Sequence, residues 1–214
     1  PELKSFMTEI QDLIQNRSLS SSTIGIEFSH VTVSAFEMLR RWLDKAGFKD
    51  VSGILLEARS VKDYEETEVL RNSLEISERG IRTAIELIQP GITELEVAAE
   101  VERTMRKAGS KRTAFDTVIA SGPRSGEKLA SARQKKIDAD ELVVINVSAI
   151  HGEYYSDVAR TIYIGKPGEK HKKFFELTRK ALSKTLEQII PGTTSGEIEG
   201  SMRRYLRTLS VGET

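Results

Sequence analysis

The stretch ELVVINVSAIHGEYYSDVARTI, residues 141 to 162, holds the side chains whose types and spacing could do chemistry. An apolar run from Leu142 to Ile145 ends on Asn146, and eleven residues later Asp157 opens the sequence SDVART. Two oxygen-bearing side chains at the mouths of adjacent strands form a frame that can hold a divalent cation. A hard cation prefers anionic oxygen, and Asn146 offers only a neutral carbonyl. Read without any metal, Asn146 is a polar residue at a strand end, satisfied by backbone or water. Asp157 is then a carboxylate paired with Arg160 or another nearby base.

Other reactive residue types form weaker patterns. Gly165-Lys-Pro-Gly168 with Lys170, His171, Lys172 and Lys173 has some phosphate-loop composition but not the spacing, so a solvated helix start is expected. Ser121, Ser125 and Ser131 have no histidine placed to activate them, and G-x-S-x-G is absent. His151 reads as an exposed turn residue and His30 as a helix-start or loop residue.

Composition narrows the function classes. Lys plus Arg and Asp plus Glu are each 32, so the net charge is zero and no basic footprint for nucleic acid or a membrane surface exists. No apolar run has spanning length, and the first residues, PELKSFMTEI, do not form a signal peptide. Without cysteine there is no disulfide, thiolate zinc site or cysteine nucleophile. A cytoplasmic protein with no nucleic-acid or membrane partner is the expectation.

The elements that must position Asn146 and Asp157 follow from periodicity and caps. Leu3, Phe6, Met7, Ile10 and Ile14 have a helical period over residues 2–15. IGIEF (24–28) reads as a strand and FEMLRRWL (36–43) as a helix ending near Gly47. VSGILLEA (51–58) reads as a second strand, and Arg59 to Lys62 as a connection. Asp63 and Glu66 have capping-box spacing and open a helix to about Ile88, stopped by Pro90-Gly91. Thr93 and Glu96 open another, ending at Ala108-Gly109. AFDTVIASG (114–122) is a strand and turn, and residues 125–140 a polar loop. The strands ELVVINVSA and EYYSDVARTIYIG form a hairpin turning at His151-Gly152. Lys172 to Ile190 is a helix, followed by Pro191-Gly192 and a capping box at Thr194 and Glu197.

Part of this pattern repeats. Residues 84–109 lie over 185–210 at a constant offset of 101, matching Pro90 with Pro191, Gly91 with Gly192, Thr93 with Thr194 and Glu96 with Glu197. Val97, Val101 and Met105 likewise fall on Ile198, Met202 and Leu206. The first unit continues into FDTVIA, whereas the same offset in the second lies beyond Thr214, so the second repeat is expected to be truncated.

Taken together, Arg59, VKDYEETEVLR (61–71), PGITELEVA (90–98), FDTVIASG (115–122), SDVART (156–161) and the second Pro-Gly helix unit carry a family resemblance. The chain resembles the creatinase and prolidase family of metallopeptidases, which includes Xaa-Pro dipeptidases and aminopeptidases. IGIE (24–27) and residues 51–58 resemble the second half of the N-terminal domain in the prolidase branch. The resemblance implies an α/β (α+β) pita-bread fold, C-terminally incomplete, with part of an α/β N-terminal domain. Residues 1–58 would be the partial N-terminal domain and 59–214 the peptidase-like domain.

The family holds two divalent ions, often manganese or cobalt, with two aspartates, a histidine and two glutamates, and these activate a bridging water. Carried onto this sequence, the resemblance puts Asp157 at the second aspartate and Asn146, substituted, at the first. A substrate-contacting histidine, seventeen residues before the first aspartate, falls on Leu129, also substituted. The other ligands would come from strands beyond Thr214. No catalytic residue is therefore assigned, and no ion is expected to bind tightly. The expectation is a family member inactive as this chain. The alternatives are a functional metal-dependent Xaa-Pro peptidase of which this is an interior fragment, and a pseudo-peptidase binding a peptide or protein. Because the prolidase branch is commonly dimeric, the resemblance also implies a homodimer.

Overall fold

The computed structural model describes residues 2–127 and 130–208, which divide into two units, residues 1–67 and 68–214. The expected division after residue 58 falls inside a helix.

In the first unit, α1 (Glu2–Asn16) precedes β1 (Thr23–Ile26), α2 (Val33–Trp42), β2 (Gly47–Asp50) and α3 (Ser52–Ser60). β1 and β2 pair in parallel, Thr23 opposite Gly47, with α2 as the crossover. Met7, Ile14 and Leu43 are its buried apolar side chains among the described residues. Phe36 stands edge-on to both Phe28 and Phe48, with centroids 5.0 and 5.6 Å apart, which fixes α2 over the sheet.

Two expectations fail here. Gly47 does not close α2, whose cap is Leu43; it opens β2. VSGILLEA is not a strand either. Asp50 accepts both the N–H (2.9 Å) and the hydroxyl (2.6 Å) of Ser52, which starts a helix at that point. Leu, Glu, Ala and Arg then sustain it, and Ile54, Leu55 and Leu56 are exposed rather than sandwiched in a sheet.

In the second unit, α4 (Tyr64–Leu87) runs in from the boundary, its start capped by reciprocal 2.8 Å bonds between Asp63 and Glu66. Its apolar stripe, Ile76, Ile81, Ala84 and Ile88, packs with Val97, Val101 and Met105 of α5 (Glu94–Lys107). Both cover one face of an antiparallel sheet ordered β3 (Val118–Ser121), β4 (Leu142–Val147), β7 (Val158–Tyr163). Between β4 and β7, β5 (Ile150–His151) and β6 (Tyr154–Tyr155) make a small ribbon turning at Gly152-Glu153, one residue later than expected. His151 is thus in a strand and half-buried, not in an exposed turn. α6 (Glu169–Leu186) and α7 (Ser195–Thr208) are the last described elements.

Period-2 burial along β4 decides what can form a site. Val143, Ile145 and Val147 lie against the helices, while Leu142, Val144 and Asn146 face the other way. β3 is shorter than expected because the N–H groups of Ala114 and Phe115 bond the Ser148 hydroxyl (2.9 and 3.1 Å) instead of a ladder. The two Pro-Gly units agree locally. Gly91 and Gly192 have φ of 97° and 93°, and both Thr93 with Glu96 and Thr194 with Glu197 form capping boxes.

Gly80 shows how closely α4 and α5 approach. A Cβ there would lie 3.0 Å from the Met105 side chain and 3.3 Å from Val101. A Gly80→Val substitution should therefore lower the free energy of unfolding, followed by urea denaturation, by about 1–3 kcal/mol through overpacking.

Candidate metal centre

Asn146 and Asp157 do come together. Register places Asn146 opposite Val118 on one side and Ala159 on the other, and Asp157 immediately precedes β7. Both line a cavity of about 490 Å³ at the open face of the sheet, with Phe115, Asp116, Val118, Ala130 and Ser131. Asp157 is exposed at the rim. The Asn146 Oδ1 is buried and has no protein hydrogen-bond partner among the described residues. The strand also runs one residue beyond Asn146, to Val147. Leu129 lies outside the described residues.

Asp116 is the site residue that the sequence reading missed. It stands just before the apolar run VIAS, at a strand mouth, the same position that drew attention to Asn146 and Asp157.

The cavity wall is held by a buried charge that the sequence reading also passed over. Glu94, at the first turn of α5, is fully buried. Its Oε1 accepts the Ser121 N–H (2.9 Å) and hydroxyl (2.8 Å), and its Oε2 accepts from Arg124 and from the Arg133 N–H (3.2 Å). Arg124 donates onward to the carbonyl of Ser131 (2.8 Å), a residue lining the cavity. Lys135 bonds the Ser121 hydroxyl (2.8 Å) and the Glu141 carboxylate (3.0 Å). One anion thus joins α5, β3, the 3₁₀ turn after it (Gly122–Gly126) and the start of the segment 130–135.

The donor set of the cavity is two carboxylates, Asp116 and Asp157, and one neutral amide. Among the described residues no group of three or more His, Cys, Asp or Glu is placed to hold a metal ion. Two divalent cations bring four positive charges, so these residues do not fit a two-ion centre.

The profile of Metallopeptidase family M24 matches residues 68–213, and that of the Creatinase/Prolidase N-terminal domain matches residues 2–61. The chain belongs to metallopeptidase family M24. This M24 chain is 34% identical over 205 residues to an Xaa-Pro dipeptidase of Pyrococcus furiosus, covering 96% of this chain and 58% of that protein. A crystal structure of an X-Pro aminopeptidase from Thermotoga maritima MSB8 superposes with a TM-score of 0.88 at 29% identity, covering 97% of this chain and 58% of that one. The prolidase from Pyrococcus furiosus gives 0.85 at 33% identity, with 95% and 59% covered. The fold is therefore the α/β pita-bread arrangement of these peptidases, and the chain spans less than two thirds of their length. No described helix is long and apolar enough to cross a membrane.

Two outcomes test the network. Glu94→Ala leaves Arg124 and two N–H donors without their acceptor, and should cost about 3–5 kcal/mol in urea unfolding, as breaking a buried pair does. Glu141 titrates below its ordinary 4.5: burial works to raise it, but the Asp138 N–H and Lys135 bonds outweigh that. A depressed carboxylate contributes stability that is fully present above its unfolded pKa and is lost as pH falls through the folded one. Stability should thus decline below pH 4.5, and Glu141→Gln should flatten that decline in denaturation measured from pH 6 to pH 3.

Proposed function

We propose that this M24 chain retains the strand frame of an Xaa-Pro peptidase without the chemistry, and by itself hydrolyses no Xaa-Pro bond. One observation carries the reading: the cavity at the strand mouths presents Asn146 where the family resemblance calls for a carboxylate, with Asp116 and Asp157 as the only carboxylates among its described lining residues. A single amide oxygen cannot bridge two cations or offset their charge. Neither manganese nor cobalt is then held tightly, and without a bound ion no water is acidified near neutral pH. The site keeps a polar floor and an aromatic wall, Phe115, which suit a non-catalytic binding surface.

A second reading is favoured by the 34% identity to an Xaa-Pro dipeptidase of which the chain spans 58%: an active peptidase in which residues outside this chain complete the centre. Manganese titration by calorimetry, together with a Gly-Pro and Met-Pro hydrolysis assay, separates the two. The expected result is no tight ion and no turnover. Asn146→Asp should add weak binding of one ion, at least about tenfold tighter than wild type because an anionic oxygen replaces a neutral one, still without turnover. Metal-dependent hydrolysis by the unaltered chain overturns the proposal.

A further inference from the structure

The two strands that flank β4 both leave it at the mouth of the cavity, and a serine hydroxyl stands at each point of departure. The ladder of β4 with β7 ends at Val147 opposite Val158, so two residues on Ala149 would face Ser156. Half of that pair forms, the Ser156 N–H reaching the Ala149 carbonyl at 3.1 Å. In a regular antiparallel pair Ala149 would return the bond to the Ser156 carbonyl. Its N–H goes instead to the Ser156 hydroxyl, also at 3.1 Å.

On the other side, the ladder with β3 ends at Asn146 opposite Val118, so Asp116 would next face Ser148. There the Ser148 hydroxyl takes the N–H groups of Ala114 and Phe115, at 2.9 and 3.1 Å. A hydroxyl reaches out from the backbone that carries it, so a segment bonded to it lies farther from β4 than a laddered strand does. Both flanking segments therefore splay where the cavity opens. Asp116 follows directly on one pinned segment and Asp157 on the other, and both line the cavity.

Ser156 is itself held from behind. The hydroxyls of Ser77 and Ser73, on α4, lie 2.8 and 3.1 Å from its own, and it donates to the Ser73 carbonyl at 3.0 Å. The Ser73 hydroxyl donates to the Ala149 carbonyl at 3.1 Å. With Ser77 donating to Ser156, each of the three protons has an acceptor and both lone pairs of Ser156 are used. Ser73 and Ser77 are the buried polar side chains of α4, and both serve Ser156. A buried network satisfied in this way is rigid.

Resting on the reading of this cavity as a binding surface, we propose that Ser148 and Ser156 are positioning residues for its two carboxylates. Ser148 places Asp116, and Ser156, braced by Ser73 and Ser77, places Asp157. They hold the pair apart on either side of Asn146, so the width of the acidic mouth is set from the core and not by what enters it.

Crystal structures of Ser148→Ala and Ser156→Ala test this, with Ser110→Ala as control. Ser110 is similarly buried, and its hydroxyl accepts the Ile150 N–H and donates to the Arg112 carbonyl, neither of them among the described residues lining the cavity. Ser156→Ala should displace the Asp157 carboxylate by about 1 Å or more, and Ser148→Ala that of Asp116, with β4 in place. Ser110→Ala should move neither. The second readout is manganese calorimetry on Asn146→Asp: adding Ser156→Ala should cancel the affinity that this variant gains, whereas adding Ser110→Ala should keep it. If Ser156→Ala does not fold, Ser77→Ala, which removes one of the two hydroxyls bracing Ser156, is read in the same way. The proposal is overturned if either aspartate keeps its place without its serine, if Ser110→Ala moves them equally, or if the gained affinity survives Ser156→Ala. An Asn146→Asp chain that binds no ion counts against the reading of the cavity instead, and the crystal structures then decide the positioning.

Discussion

Glu94 is the constraint on which the arrangement around the site depends. An ionised carboxylate with no solvent exposure survives only if every lone pair is used, and the four donors at Glu94 do that. Its place in the first turn of α5 adds the favourable end of the helix dipole. Because the donors come from β3, the 3₁₀ turn and residue 133, one charge fixes the sheet edge, the helix start and the segment bearing Ala130 and Ser131. Removing it would free the cavity's wall as well as cost stability. Glu94 therefore fixes the geometry of the pocket lined by Asp116, Asn146 and Asp157.

Much of this was legible because it rests on local rules. The Pro-Gly stops and the three capping boxes located α4, α5 and α7 from sequence, since each motif closes its own hydrogen bonds within three residues. Strand β4 was visible as an apolar run because it is covered on one face and flanked on both edges. What failed depended on partners far away in sequence. VSGILLEA is the exception: it has the composition of a buried strand, yet it forms a helix whose start carries local bonds from Ser52 to Asp50. Glu94 looked like an ordinary acidic residue in a helix's first turn, because its donors lie 27 to 39 residues away. Asp116 was missed for a similar reason, since only the register of β3 with β4 brings it to the same mouth as Asn146.

The buried strand β4 and the neutral amide of Asn146 at its end answer to different forces. Val143, Ile145 and Val147 are fully buried against α4 and α5, so their burial holds the strand in place whatever its other face does. Asn146 lies on that other face. An aspartate at that position, beside Asp116 and Asp157, would bring three like charges to one cavity mouth with no cationic side chain among its described lining residues. Without a cation that is repulsive, and a neutral amide removes the repulsion. A neutral amide at this strand end therefore leaves two like charges at the cavity mouth rather than three.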